Sequence, residues 1–158
     1  MTDLPVYRAK LEADWIDYNG HLRDAYYGLV ASYAVDAVMD HLGLDAAYRE
    51  STHCTLYTLE IHVHYVHEVK FSDTLEVRSS VLDFDAKRIH VGCLFSCSRI
   101  QGAVASADMM LLHVRQGEKP ASTRMPEGTQ AMLAELKAYA DAREPFAPVS
   151  RKIELKRR

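Results

Sequence analysis

Residues 25–42 read AYYGLVASYAVDAVMDHL, a helical pattern that indicates the architecture of the whole domain. The run is apolar nearly all round, except that Ser32, Asp36 and Asp40 recur every four positions. On a helix these three side chains form one narrow polar stripe, so the remaining surface must be buried. Such a helix is enclosed by a sheet rather than resting on one. Gly43, directly after the run, suits a helix C-terminus.

Four strands are predicted after this helix, over residues 55–65, 74–83, 88–99 and 103–115. The first alternates, and its inward apolar face is predicted to carry Tyr57, Leu59, Ile61, Val63 and Tyr65. The short segment between the second and third strands suits a hairpin turn. A strand over 7–13 precedes the helix, and an amphipathic helix over 127–143 follows the sheet. The order predicts an α+β fold, with one antiparallel sheet wrapped around one hydrophobic helix.

The bulk composition excludes several classes of function. The chain has 158 residues and a formal net charge of -3, which fits one domain and gives no basic surface for nucleic acid. Its apolar runs are interrupted too often to span a membrane, and the segment MTDLPVYRAK has no apolar signal core, which indicates the cytoplasm. Cys54, Cys93 and Cys97 lack paired spacing and are interpreted as small buried hydrophobic residues.

The chemistry-bearing stretch is 14–27, DWIDYNGHLRDAYY. Asp24, directly before the helix, is predicted to be its N-cap, and Asn19-Gly20 suits a tight turn that needs positive φ. Gly20 could equally let a substrate approach the backbone. From the residues alone, Asp17 is a turn aspartate more often than a catalyst. His21 has two possible roles that the residues alone do not distinguish: it orients Asp17 or the substrate, or it is only a residue of the loop.

The same stretch resembles the opening motif of hotdog-fold acyl-CoA thioesterases similar to hydroxybenzoyl-CoA thioesterase. The likeness covers about residues 5–116, and Arg23 departs from it because a small polar residue is more usual there. The segments WIDYNGH, DAYY, TLEIH and MMLLHV are most similar to the betainyl-CoA thioesterases of bacterial carnitine degradation. The resemblance implies a curved sheet around a long central helix within residues 1–120. An extra C-terminal helix and a basic tail then occupy 121–158.

The resemblance also implies the parts of an active site. Its catalytic group is Asp17 as general base or nucleophile, with Gly20, His21 and the helix amides near Tyr26, which would polarise the thioester carbonyl. Aromatic faces would hold a quaternary ammonium. The predicted substrate contacts are Trp15, Tyr18, Asn19, Tyr27 and Glu60. Tyr57 and Tyr65 are interpreted as inward core residues instead. The candidate partners of the CoA phosphates are Lys87, Arg88, Arg115 and Lys119.

Active sites of this fold usually lie between subunits, so the resemblance implies a homodimer or a dimer of dimers. It implies acyl-CoA as the ligand and no cofactor beyond the coenzyme A of the substrate, whereas the net charge and the interrupted apolar runs predict neither nucleic-acid nor membrane partners. His62 and His64 share a strand face with Glu60, but the sequence offers no further ligands, so no metal site is expected.

Two alternatives stay open at this point. A hotdog-fold enoyl-CoA hydratase or dehydratase often carries D-x-N-x-x-H, but here the histidine that follows Asp17 and Asn19 comes one residue early. A non-catalytic acyl-CoA-binding sensor module would bind the ester without turnover, and its affinity would not depend on Asp17.

Overall fold

The computed structural model describes residues 3–143, so the basic tail predicted near the C-terminus lies outside the described part. The helices and strands are, in chain order, β1 Tyr7–Ala9, α1 Asp24–His41, α2 Ala46–Thr52, β2 Cys54–Tyr65, β3 Leu75–Phe84, β4 Arg88–Cys97, β5 Ile100–Arg115, β6 Ala121–Ser122 and α3 Glu127–Asp141. β1 is shorter than predicted because Ala9 already pairs with Leu75, the first residue of β3; the chain then enters a 3-10 turn at Ala13–Trp15. The short helix α2 was not predicted.

One antiparallel sheet runs in the order β1-β3-β4-β5-β2, and β6 pairs with the end of β5. The apolar side of α1 packs against the sheet, and the two share one core that contains Val30, Ala34, Val38, Leu111 and Phe95. This confirms the predicted α+β hotdog architecture. Among residues 3–143 no helix is long and apolar enough to cross a membrane. The cytoplasmic location stays a prediction.

The helix α1 agrees with its predicted pattern, with one correction at its start. Its polar stripe is exposed and its end is capped as expected: Gly43 has φ +71°, and the Leu44 N–H donates to the Met39 carbonyl at 2.9 Å. The prediction that Asp24 is the N-cap was wrong. Arg23 occupies that position without a side-chain cap bond, and Asp24 is the first helical residue.

The strand β2 lies at one edge of the sheet, and its pairing with β5 keeps the predicted inward face at Ile61 and Val63 but corrects it at Tyr57. A register shift between Thr58 and Glu60 inserts one residue, and a single inserted residue moves later side chains to the other face. Tyr57 pairs with Leu112 on the face away from α1, whereas Ile61 pairs with Met109 on the α1 face. Since nothing in the described chain covers this edge, Leu59 is 56% exposed and Tyr65 is 49% exposed. Neither predicted tyrosine is therefore a core residue.

The C-terminal helix α3 packs into the same core as α1. Leu133 and Leu136 are buried, and the Thr129 hydroxyl donates to the Leu42 carbonyl at 3.3 Å, which joins α3 to the end of α1. The division into residues 1–120 and 121–158 stays a prediction. Cys54, Cys93 and Cys97 are buried free thiols, as the sequence indicated.

Candidate active site

Asp17 lies in a tight hairpin at residues 16–22, which is bounded by a bridge between Ile16 and Leu22. Its N–H donates to the His21 carbonyl at 2.8 Å, and its own carbonyl accepts from the Gly20 N–H at 3.0 Å. Gly20 has φ +78°, whereas Asn19 does not take positive φ, so the glycine alone meets that requirement of the turn. Nothing lies within 4 Å of the place a Cβ of Gly20 would occupy, so the backbone there is open to an approaching molecule.

The Asp17 carboxylate is held by its own hairpin. Its Oδ1 accepts the Asn19 N–H at 2.8 Å and the His21 N–H at 3.1 Å. The His21 N–H lowers the pKa of Asp17 most, and the Asn19 N–H and the nearby His21 and Arg23 side chains add to that effect against a smaller opposing contribution from burial. Within residues 3–143, Oδ2 has no protein donor. The result is an ionised carboxylate with one oxygen anchored and the other available.

The N-terminus of α1 follows the hairpin directly. The Arg23 N–H donates to the Trp15 carbonyl at 2.9 Å, which closes the loop at the start of the helix. The Tyr26 N–H already donates to the Arg23 carbonyl at 3.0 Å. In the described chain, the N–H groups of Asp24 and Ala25 have no acceptor, as is usual at the first helical positions. The helix therefore offers two free amides a few residues from Asp17.

The aromatic residues predicted for the substrate divide into three environments. Trp15 and Tyr26 stack with ring centroids 5.2 Å apart and an interplanar angle of 15°. Tyr27 is buried with its ring edge-on to Tyr65 at 5.2 Å, and this burial, followed by the proximity of Tyr65, raises its pKa to about 12. Tyr18, at the hairpin tip, is 92% exposed. Tyr18 and the Trp15–Tyr26 stack therefore flank the Asp17 hairpin, whereas Tyr27 belongs to the core.

Glu60 is not brought to Asp17 within one chain. It pairs with Met110 across the sheet, on the face turned away from α1, and its Oε1 lies 2.9 Å from Nε2 of His62. Between residues 3 and 143 no three His, Cys, Asp or Glu side chains form a group that could hold a metal ion.

The residues predicted to bind the CoA phosphates lie at the other end of the sheet. Lys87 and Arg88 stand at the start of β4 and Arg115 ends β5, whereas the Asp17 hairpin contacts Val69 and Lys70, before β3. β4 has 10 residues, which corresponds to about 30 Å at about 3.3 Å per residue. Among residues 3–143, the cations at the Asp17 end of the sheet include Arg23, Lys70 and Arg99.

Sequence reasoning missed the segment on which the hairpin rests. The Leu22 N–H donates to the Val69 carbonyl at 2.7 Å, and His21 forms an isolated bridge with Lys70. The turn that follows is fixed by Asp73, whose carboxylate contacts the Arg99 guanidinium. The aspartate in a turn was a visible signal, but no sequence pattern connects Arg99 to it.

The sheet packs around an apolar helix, and the loop directly before that helix carries an ionised carboxylate. Comparison with known proteins shows the family to which a chain of this architecture belongs. Residues 11–133 match the family model described as the thioesterase-like superfamily, and the chain belongs to that family.

Three similar proteins show which members of that family this chain resembles. A betainyl-CoA thioesterase from Pseudomonas aeruginosa is 42% identical over 139 residues, which are 88% of this chain and 85% of that protein. A solved structure of a candidate thioesterase from Pseudomonas putida KT2440 has a TM-score of 0.84 and 38% identity, covering 99% of each chain. The L-carnitine dehydrogenase/betainyl-CoA thioesterase of Agrobacterium fabrum is 33% identical over 90% of this chain, which corresponds to only 29% of that longer protein.

Proposed function

We propose that this chain is an acyl-CoA thioesterase that hydrolyses betainyl-CoA to betaine and free coenzyme A. The observation that carries the proposal is the anchored Asp17 carboxylate in a loop that the Arg23 N–H closes directly before the free amides of Asp24 and Ala25. The family and the 42% identical betainyl-CoA thioesterase support the reaction and the acyl group. No cofactor is needed, because water is the second substrate and coenzyme A leaves as the thiol.

The proposed chemistry uses the two groups differently. The lowered pKa of Asp17 keeps its carboxylate ionised, which is the form needed either to activate water or to attack the thioester and form an anhydride. As the carbonyl becomes tetrahedral, its oxygen gains negative charge. The amides of Asp24 and Ala25 would donate to that oxygen at the positive end of the helix dipole.

Recognition of the betainyl group would depend on aromatic faces. A trimethylammonium has no N–H to donate, so it is bound through the negative faces of aromatic rings. The ring of Tyr18 is exposed on the hairpin, and Trp15 and Tyr26 are partly buried, stacked on each other and packed against the edge of the core. We assign the selectivity for the acyl group to these three rings.

The second part of the proposal is self-association through β2. This edge strand is 12 residues long, and its unpaired backbone groups are a template for a further strand. Leu59, Ile61, Tyr65 and Val66 are exposed along it and its continuation, which is unusual for an edge left in water. A second copy of this chain would pair with it about a two-fold axis, so the two β2 strands would be antiparallel.

That arrangement would place opposite ends of the two sheets side by side. The Tyr65 end of one β2, near the Asp17 hairpin, would meet the Cys54 end of the other. Cys54 pairs with Arg115 in its own sheet, so the basic end of the second copy would approach this Asp17 site. The phosphates of coenzyme A could then be bound by one copy while the thioester reacts in the other.

The test is release of free thiol from betainyl-CoA and a panel of neutral acyl-CoAs. Wild-type protein should release coenzyme A fastest from betainyl-CoA. Asp17→Asn should be slower by about 100-fold or more, because the charge is lost while an oxygen remains to accept the hairpin N–H groups. Asp14→Asn, an exposed aspartate in the preceding 3-10 turn, is the matched control and should be unaffected. Ester binding without thiol release would refute the proposal and support the acyl-CoA-binding module.

A further inference from the structure

The turn at residues 68–73 is built around one buried carboxylate. The Asp73 side chain is only 3% exposed, and its Oδ2 accepts the Lys70 N–H at 2.8 Å. The Asp73 N–H returns a hydrogen bond to the Lys70 carbonyl at 2.9 Å. The side chain and the backbone of Asp73 therefore fix the backbone N–H and carbonyl of Lys70.

Arg99, which follows β4, joins this turn from the other side. Its Nε lies 3.2 Å from Asp73 Oδ1, and its terminal nitrogen donates to the Glu68 carbonyl at 2.8 Å. The planar guanidinium can make both contacts at once because its donors point in fixed directions. Burial alone raises the pKa of Asp73, but the Lys70 N–H and Arg99 outweigh it and lower the pKa overall. Asp73 is therefore a charged partner for Arg99 at neutral pH.

The residues held by this pair carry the Asp17 hairpin. Val69 and Lys70 lie between the two anchors of Arg99, and they contact Leu22 and His21 through the backbone. His21 in turn donates its N–H to the Asp17 carboxylate at 3.1 Å and accepts the Asp17 N–H at 2.8 Å. Hydrogen bonds and the short backbone segments Val69–Lys70 and His21–Leu22 thus connect the Arg99 guanidinium to the Asp17 carboxylate.

We propose that Arg99 and Asp73 are positioning residues that set the place of the Asp17 carboxylate relative to the N-terminus of α1. The inference rests on the proposed function of Asp17. Reacting groups must be held closely, and a displacement of about 1 Å can cost about 100-fold in rate. The pair acts on the reaction through the turn and the hairpin and does not itself touch the thioester.

The test combines Arg99→Gln with Asp17→Asn in a double-mutant cycle. Arg99→Gln should lower kcat by about 10- to 100-fold with little change in KM, since the binding surfaces stay in place. Arg8→Gln is the matched control, because it removes a contact of the same type, 2.8 Å from Glu76, between β1 and β3. In the Asp17→Asn background, Arg99→Gln should cause no further loss, because the group it positions is already absent.

The possible outcomes distinguish the positioning role of Arg99 and Asp73 from the proposed catalytic role of Asp17. A slow Asp17→Asn with a normal Arg99→Gln would overturn the positioning role and leave the proposed function intact. An equal loss from Arg99→Gln in both backgrounds would show a general structural role and would also overturn it. A fully active Asp17→Asn would refute the role of Asp17 and, with it, this inference. If Arg99→Gln does not fold by circular dichroism, Arg99→Lys, which keeps the charge but loses the fork, is used in the same cycle.

Discussion

The hydroxyl of Tyr65 donates to the backbone carbonyl of Asp24 at 3.0 Å. This bond joins the last residue of β2 to the first residue of α1, so the exposed sheet edge and the helix amides are directly linked. Close packing supports the link, because Gly28 of α1 lies beside Ile61 of β2, where a Cβ would be 3.9 Å from the Ile61 Cδ1. A second copy seated on β2 would therefore contact the strand that fixes the helix N-terminus.

Tyr65→Phe is expected to slow thiol release while leaving the fold intact. The variant keeps the ring against Tyr27 and removes only the hydrogen bond to Asp24, which is worth about 1 kcal/mol of stability. Urea unfolding measures that loss, and steady-state kinetics measure kcat. Tyr57→Phe, on the opposite face of the same strand, is the control. Equal effects of both variants on kcat would contradict the link.

The rate should depend on pH in a way set by the lowered pKa of Asp17. A carboxyl whose pKa is depressed in the folded state stays ionised below its ordinary pKa of 3.8 and loses its charge only on stronger acidification. We therefore expect Asp17 to stay ionised between about pH 5 and pH 8, so that its protonation does not lower kcat/KM in this range. Initial rates across this range check the expectation, with circular dichroism confirming the fold. An acidic limb centred at pH 5 or above, traced to Asp17 by labelled NMR titration, would contradict it.

The fold could be predicted where the pattern of one element decides its packing. The polar stripe of α1 at Ser32, Asp36 and Asp40 left one arrangement, a helix enclosed by a sheet. The faces of β2 could not be predicted in the same way. Its alternation continues through Leu59 without interruption, and only pairing with β5 reveals the extra residue. The pattern of a single strand contains no information on its partner's register.

For the candidate site too, local contacts could be predicted from the sequence and long-range contacts could not. The hydrogen bonds that Asp17 makes within its hairpin join residues at most four apart, so the run DYNGH indicated a turn and its glycine. Arg99 and Asp73 are 26 residues apart, and Tyr65 and Asp24 are 41 apart. Contacts of this kind are created by the sheet topology, and nothing near either residue in the sequence marks them.

Leu59→Lys is expected to weaken self-association. A lysine on the exposed edge would meet its own symmetry mate or apolar side chains of the second copy, and charged residues on edge strands prevent further pairing. Analytical ultracentrifugation should show a shift toward monomer, with a parallel loss of thiol release. Ala131→Lys, at an exposed position of α3, adds the same charge off the edge and should leave the association unchanged. A monomeric wild type with full activity would contradict the edge pairing.

The three cysteines should be nearly unreactive in the folded protein. All are buried, and burial raises the pKa of Cys93 to about 11 against a smaller opposing effect of the Ser79 hydroxyl. Because the thiolate is the reactive form, an aromatic disulfide reagent at pH 8 should titrate few thiols in native protein. It should titrate three per chain in guanidinium chloride. Rapid reaction of all three in the native state would mean that the core opens readily. It would also require the thiol-release assay to be corrected for protein thiols.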